Sequence, residues 1–210
     1  MKSKVLSLNI GHPAPMEWQG RSVVSSMLKS PVAGPLVVHQ DRIEGNTFSS
    51  PEFHGTIDSV LYAYGMKSIK SFMELLGGAP YSYGAVGETI TLEDLDERTV
   101  SVGDIFRVGS VVAQATYPRI PCGKVNFRMQ HPQGQKAMQQ CGRSGIYFKI
   151  LTPGQIALDD TMERSEEAKV RFSIWDFYQY VVTGTKPDAE TMDRIRRNGS
   201  VPKKFIEKWQ

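Results

Sequence analysis

Thr116-Tyr117-Pro118-Arg119-Ile120-Pro121-Cys122-Gly123-Lys124 places one thiol behind two prolines and between two cations. Each proline disfavours the helical region for the residue before it, so the stretch reads as extended and stiff. Gly123 allows the backbone to turn there, or a ligand to come close to the sulfur. Arg119 and Lys124, folded back toward Cys122, favour the thiolate, the form that attacks electrophiles and binds metals. A buried structural cysteine in a kinked loop is the competing reading, since free cysteines are among the most buried side chains.

The charge pattern around the thiol points the same way. From Ile105 to Leu158 there is no Asp or Glu, while Arg107, Arg119, Lys124, Arg128, Lys136, Arg143 and Lys149 fall in that window. A carboxylate-free basic segment suits an anion site, because acidic neighbours repel an anion. The alternative is a set of cations spread over unrelated surfaces.

The chain of 210 residues is long enough for one domain, or one domain with an appendage. With 40% hydrophobic and 22% charged residues it has an ordinary globular composition, and a net charge of +3 does not by itself imply nucleic acid. Cys122 and Cys141 form neither a disulfide framework nor a zinc ribbon. No apolar run reaches bilayer length and no signal segment opens the chain, so a reducing cytoplasmic setting is expected, with no membrane partner.

Alternation predicts strands at Val5–Ile10, with Leu6, Leu8 and Ile10 on one side, then at Arg21–Leu28, Leu36–His39 and Val60–Tyr64. His12-Pro13 to Pro15 reads as the end of the first. The stretch from Glu44 to Thr56 is aperiodic, as functional loops often are. Ile69, Phe72, Met73 and Leu76 have the spacing of a buried helix face, stopped by Gly77-Gly78. Gly84-Ala85-Val86-Gly87-Glu88-Thr89 lacks the Lys-Ser/Thr ending of a P-loop and reads as a loop with unusual backbone angles. Gly103 to Ala113 reads as a hairpin turning at Gly109-Ser110 and feeding the cysteine stretch. A short helix is expected over Lys136–Cys141, and a second hairpin over Ile146–Leu151 and Gln155–Leu158 around Pro153-Gly154. Three short helices follow, beginning at Ser173, at Asp188 and at Pro202. They are too small to bury a core alone and are expected to pack on the β domain or on a second copy of the chain. Their cations, Arg194, Arg196, Arg197, Lys203, Lys204 and Lys208, read as solvated faces rather than a nucleic-acid surface.

Pro118-Arg119-Ile120-Pro121-Cys122 after a Gly-Asp hairpin resembles the MOSC domain, related to the C-terminal part of molybdenum cofactor sulfurases. Lys29-Ser30-Pro31-Val32, Glu44-Gly45-Asn46, His54-Gly55-Thr56 and Gly87-Glu88-Thr89 follow that family's order and rough spacing. The helical tail is similar to the one in the YiiM-like branch. Asn46, Thr56 and Thr89 stand where the family usually has Asp, Gly and Asn.

The resemblance implies a mainly β fold: a MOSC-type β-barrel over 1–165 with a few short helices, and a C-terminal three-helix appendage over 166–210. It implies the molybdenum cofactor (molybdopterin), with Cys122 as the thiolate on the metal and the centre of catalysis. Arg119, Lys124, Lys29, His54, Gly55, Gly87, Glu88 and Thr89 are then cofactor-binding candidates. A soft thiolate suits a molybdenum centre that already carries sulfur ligands. The implied activity is reduction of N-hydroxylated compounds such as hydroxylamino bases, with electrons from a partner redox protein. Two other readings of Cys122 stand beside it. One is a persulfide or nucleophile with His54 or His131 as its base. The other is a cofactor carrier without turnover. Cys141 reads as an incidental thiol.

Overall fold

A computed structural model of the chain describes residues 1–49, 56–78 and 80–209. Seven strands close into a barrel. They are β1 (Lys2–Gly11), β6 (Leu61–Gly65), β7 (Ile90–Leu92), β8 (Ile105–Val108), β9 (Val111–Pro118), β10 (Ile146–Thr152) and β12 (Thr161–Glu166). Their order is β12-β8-β9-β10-β6-β7-β1, and β1 pairs back onto β12. Every neighbouring pair is antiparallel except β6 and β7, which run parallel. Closure leaves no free edge in the seven-strand ring, whose interior is filled by side chains such as Val5, Leu8, Phe106, Ala113, Ile146 and Phe148.

Five further strands lie outside the ring. β2 (Ala14–Trp18) and β3 (Arg21–Ser25) form a hairpin, β4 (Lys29–Pro31) extends β1, and β5 (Leu36–Val38) pairs with β11 (Gly154–Ile156). Here the structure departs from the sequence reading. β1 ends at Gly11, ahead of His12-Pro13 as expected, but an unexpected β2 follows, with Pro15 in a two-stranded hairpin whose edge tolerates the missing N–H. Gln19 and Gly20, with φ of 50° and 71°, make its turn, and the strand expected to reach Leu28 stops at Ser25. No hairpin joins β10 to β11; Pro153 separates them and β11 finds β5 instead. β12 escaped notice because only Met162 of its polar sequence is buried. In β1 a register shift between Val5 and Ser7 turns Val5 and Leu8 into the core, while Leu6 and Ile10 are only half-buried.

Two helical layers pack on the ring. α1 (Met66–Glu74) presents Ile69, Phe72 and Met73, with Leu76 just beyond its end, to a second small core. That core also holds Tyr64, Val86, Val125, Ala137 and Met138, the last three on α2 (Lys124–Met129) and α3 (Gly134–Cys141). α2 was not anticipated. The tail forms α4 (Ile174–Thr183), α5 (Ala189–Asn198) and α6 (Lys203–Trp209), the first two capped by Ser173 and Asp188 side chains. Phe172, Phe177, Ile195, Phe205 and Trp209 join the barrel core, with Phe205 against Tyr117 at a ring separation of 5.2 Å. Asp104, fully buried at the head of β8, fastens this junction. It pairs with Arg164 at 3.1 Å and Arg171 at 2.8 Å and accepts the Ser101 and Ala168 amides. No helix among the described residues is long and apolar enough to cross a membrane.

Candidate functional site

The proline-flanked stretch leaves the barrel at the end of β9, where Pro118 pairs with Ile146. Arg119 is pinned there on both sides of its backbone. Its N–H donates to the Gly145 carbonyl at 3.2 Å and its carbonyl accepts the Ser144 hydroxyl. Pro121 and Cys122 then turn the chain into α2, whose first bond runs from the Val125 amide to the Cys122 carbonyl at 3.0 Å. Gln135 on α3 holds the Pro121 carbonyl at 3.3 Å. The thiol is thus set at the junction of barrel and helices, half-buried and unpaired with the other cysteine.

Cys122 opens into a cavity of about 650 Å³, counting its mouth. Arg119, Lys124, Lys29, Gly87 and Thr89 line the same space, so five predicted positions from distant parts of the sequence meet the cysteine there. His54 and Gly55 lie outside the described residues. Glu88 points elsewhere. Its carboxylate is fully buried inside the 81–91 loop, where it accepts the Tyr81 and Thr91 hydroxyls and the Gly84 and Val86 amides. It shapes the loop that carries Gly87 and Thr89. Asn46 likewise serves the backbone, accepting the Gly11 amide at 3.3 Å. His131 binds the Gln133 amide and does not line the cavity.

The electrostatics of this space are unusual. The Arg119 guanidinium is 4% exposed, and its polar contacts are two thioethers, Met138 Sδ at 2.9 Å and Met27 Sδ at 4.0 Å. Among the described residues no carboxylate pairs with it, whereas Arg164 and Arg171 share Asp104. A buried cation without a counter-charge is costly, and an incoming anion relieves it. Lys29, 7% exposed, donates to Thr89 Oγ1 at 2.8 Å. Burial lowers its pKa to about 8, against the opposing pull of Glu88. Of the seven cations in the acid-free window, only Arg119 and Lys124 reach the cavity; Arg143, for one, turns toward Asp96.

Sequence reasoning missed the tyrosines and most of the small residues that line the cavity with these cations. Tyr62 on β6 and Tyr147 on β10 line it with rings 5.0 Å apart, and Ser25, Ser26, Met27, Phe48, Ser49 and Ser59 complete the rim. Tyr62 was inside a correctly expected strand, but nothing in the sequence says which face of that strand borders a cavity.

Residues 50–163 match the MOSC domain. The chain belongs to the MOSC domain family. MOSC domains are associated with binding of molybdenum cofactor. Uncharacterized protein YflK of Bacillus subtilis is 28% identical over 193 residues, covering 92% of this chain and 85% of that one. A protein of Gibberella moniliformis named "Reductase" is 26% identical over 158 residues, or 74% of this chain and only 28% of that protein's length. The crystal structure of YiiM from Geobacillus stearothermophilus superposes with a TM-score of 0.79 at 28% identity, covering 99% of this chain and all of that one. The MOSC cavity of this chain fits the group. It offers a thiol for a soft metal, and a buried cation lacking any carboxylate among the described residues for an anionic arm. Those residues contain no group of three or more His, Cys, Asp or Glu side chains placed to hold a metal ion.

Proposed function

We propose that this protein is a molybdenum-cofactor-dependent reductase of N-hydroxylated compounds, with Cys122 as the protein ligand to the metal. The observation that carries the reading is the meeting of the Cys122 thiol with the uncompensated Arg119 charge in one cavity. The relative named "Reductase" supports the reaction class, and the helical tail, similar to that of the YiiM-like branch, supports the substrate class. Cys122 would hold molybdenum as its thiolate, while Arg119, Lys29 and Lys124 would hold the cofactor's phosphate. The bound cofactor supplies two-electron exchange; the electrons are expected from a partner redox protein.

The chain's own part is binding and orientation. Charge-assisted hydrogen bonds from Arg119 and Lys29 are short, directional and strengthened by burial. Because the thioethers of Met27 and Met138 leave Arg119's charge unneutralised, that charge acts in full on a bound anion. Thr89, by accepting from Lys29 Nζ, fixes the amine's direction; the hydroxyl does there what an Asn carbonyl in the usual motif would also allow. Of the two histidines that could serve a Cys122 nucleophile as base, His131 does not line the cavity.

Expression of wild type and Cys122→Ala in a host that makes molybdenum cofactor tests the reading. Metal and pterin are measured per chain, and N-hydroxylated bases are assayed with a reductant. Near-stoichiometric cofactor that falls sharply in the variant, with reduction only in wild type, is the expected result. Cofactor without turnover would make the protein a carrier, and absence of cofactor from wild type would overturn the proposal.

A further inference from the structure

Buried phenols in this molecule find partners. Tyr62 donates to the Ser144 carbonyl at 2.6 Å, Tyr64 to the Arg143 carbonyl at 2.7 Å and Tyr178 to the Met138 carbonyl at 3.2 Å. Tyr81 donates to Glu88, and Tyr117 accepts from Lys204 at 3.4 Å. Tyr147, half-buried like Tyr180, differs. Its ring is clamped between Tyr62 and Tyr117, at 5.0 and 5.1 Å, yet its hydroxyl has no hydrogen-bond partner among the described residues. It is also, of these six, one of only two that line the cavity, and the other is Tyr62, whose hydroxyl is already spent. Tyr147 is only half-buried and its hydroxyl is not sealed from solvent, so water meets it in the cavity and an entering ligand can take that water's place.

Its surroundings narrow the ligand. Tyr147 shares the cavity with Cys122 and Arg119, but it is neutral and adds nothing to neutralising an anion. Burial raises its pKa well above that of a free phenol, so the hydroxyl keeps its proton and donates without becoming a base. A neutral donor beside the thiol suits an oxygen that gains negative charge during reaction, in the manner of an oxyanion donor. Reduction of R–NH–OH by two electrons and two protons breaks the N–O bond and gives R–NH₂ and water. The electron pair leaves on oxygen, and a donor fixed at that oxygen lowers the cost.

We propose that the Tyr147 hydroxyl donates a hydrogen bond to the hydroxylamine oxygen of the substrate and thereby selects N-hydroxylated compounds over the amines they become. This rests on the reductase reading. It assigns Tyr147 a substrate contact distinct from the cations that hold the cofactor.

Titration calorimetry on cofactor-loaded protein, without reductant, tests it. The probes are a hydroxylaminopurine and the matching aminopurine. Wild type is expected to prefer the hydroxylamine by about tenfold, the worth of one well-made hydrogen bond. Tyr147→Phe, which keeps the ring and its stacking, is expected to bind the two within about twofold. Tyr117→Phe, altered at a hydroxyl outside the cavity, is expected to keep the preference. Persistence of the preference in Tyr147→Phe would overturn this assignment and leave the reductase reading standing. Loss of it in Tyr117→Phe as well would reduce Tyr147 to part of a packing effect and also overturn the assignment. Absence of any preference in loaded wild type would sink the substrate class and this inference together.

Discussion

The buried guanidinium of Arg119 is held by sulfur, and that choice has a cost in the empty protein. An apolar side chain of similar length removes an unpaired charge from the interior, a change that stabilises by about 1–3 kcal/mol where buried ions have been replaced. Arg119→Met is therefore expected to raise the urea midpoint of cofactor-free protein while abolishing cofactor retention. A lowered midpoint would mean that the charge is compensated after all. Lys29 gives a test with a definite sign. With its pKa lowered to about 8 by burial, the amine is cationic below that pH and neutral above it. Binding of sulfate, whose own charge is constant in this range, is expected to weaken as pH rises through about 8, approaching tenfold per unit beyond. The measurement is made in a Cys122→Ala background as well as in wild type. Lys29→Met is expected to bind sulfate weakly with a flat profile, and an unchanged slope in that variant would place the titrating group elsewhere.

Among elements, the loop from Tyr81 to Thr91 depends on Glu88 more than on its glycines. One carboxylate gathers two amides and two hydroxyls there. Glu88→Ala strands four buried partners and is expected to cost about 3 kcal/mol in urea unfolding, with faster hydrogen exchange at Gly84 and Val86. Glu88→Gln, which retains an acceptor, is expected to lose less. If Glu88→Ala matched wild type in both measurements, the loop would owe its shape to something else. This residue also marks the limit of sequence reading. The Gly87-Glu88-Thr89 motif was legible as part of the site, but a motif does not say which of its members faces the ligand and which holds the loop. The Pro118-to-Cys122 stretch was legible because proline and glycine constrain the backbone locally. So was the helix stripe from Ile69 to Leu76, whose spacing survives any tertiary arrangement. β2, β4 and β12 were poorly legible, and β11 was given the wrong partner, for the opposite reason: short polar strands gain their conformation from partners far away in sequence. Tyr147 was invisible because its significance lies in a bond it does not make.

For the whole molecule, Asp104 joins barrel and tail. Asp104→Ala leaves Arg164 and Arg171 without their buried partner and is expected to cost about 3–5 kcal/mol. Because Phe177, Phe205 and Trp209 share the barrel's core, the loss should appear as one shifted thermal transition by circular dichroism rather than as early melting of the tail. Two separated transitions would contradict a shared core. The count of strands in the ring has its own consequence. Going once around a closed ring, strand direction must return to its starting sense, so the number of antiparallel neighbours is even. Seven strands cannot alternate throughout, and one pair is obliged to run parallel. That pair is β6 and β7, and a parallel pair cannot be joined by a tight turn; the chain has to travel the length of the barrel before re-entering. The return path, residues 66–89, is α1 followed by the loop that ends in Gly87, Glu88 and Thr89. The arithmetic of an odd ring thus calls for a long stretch of chain between β6 and β7, and it is at the end of that stretch that Thr89 meets Lys29.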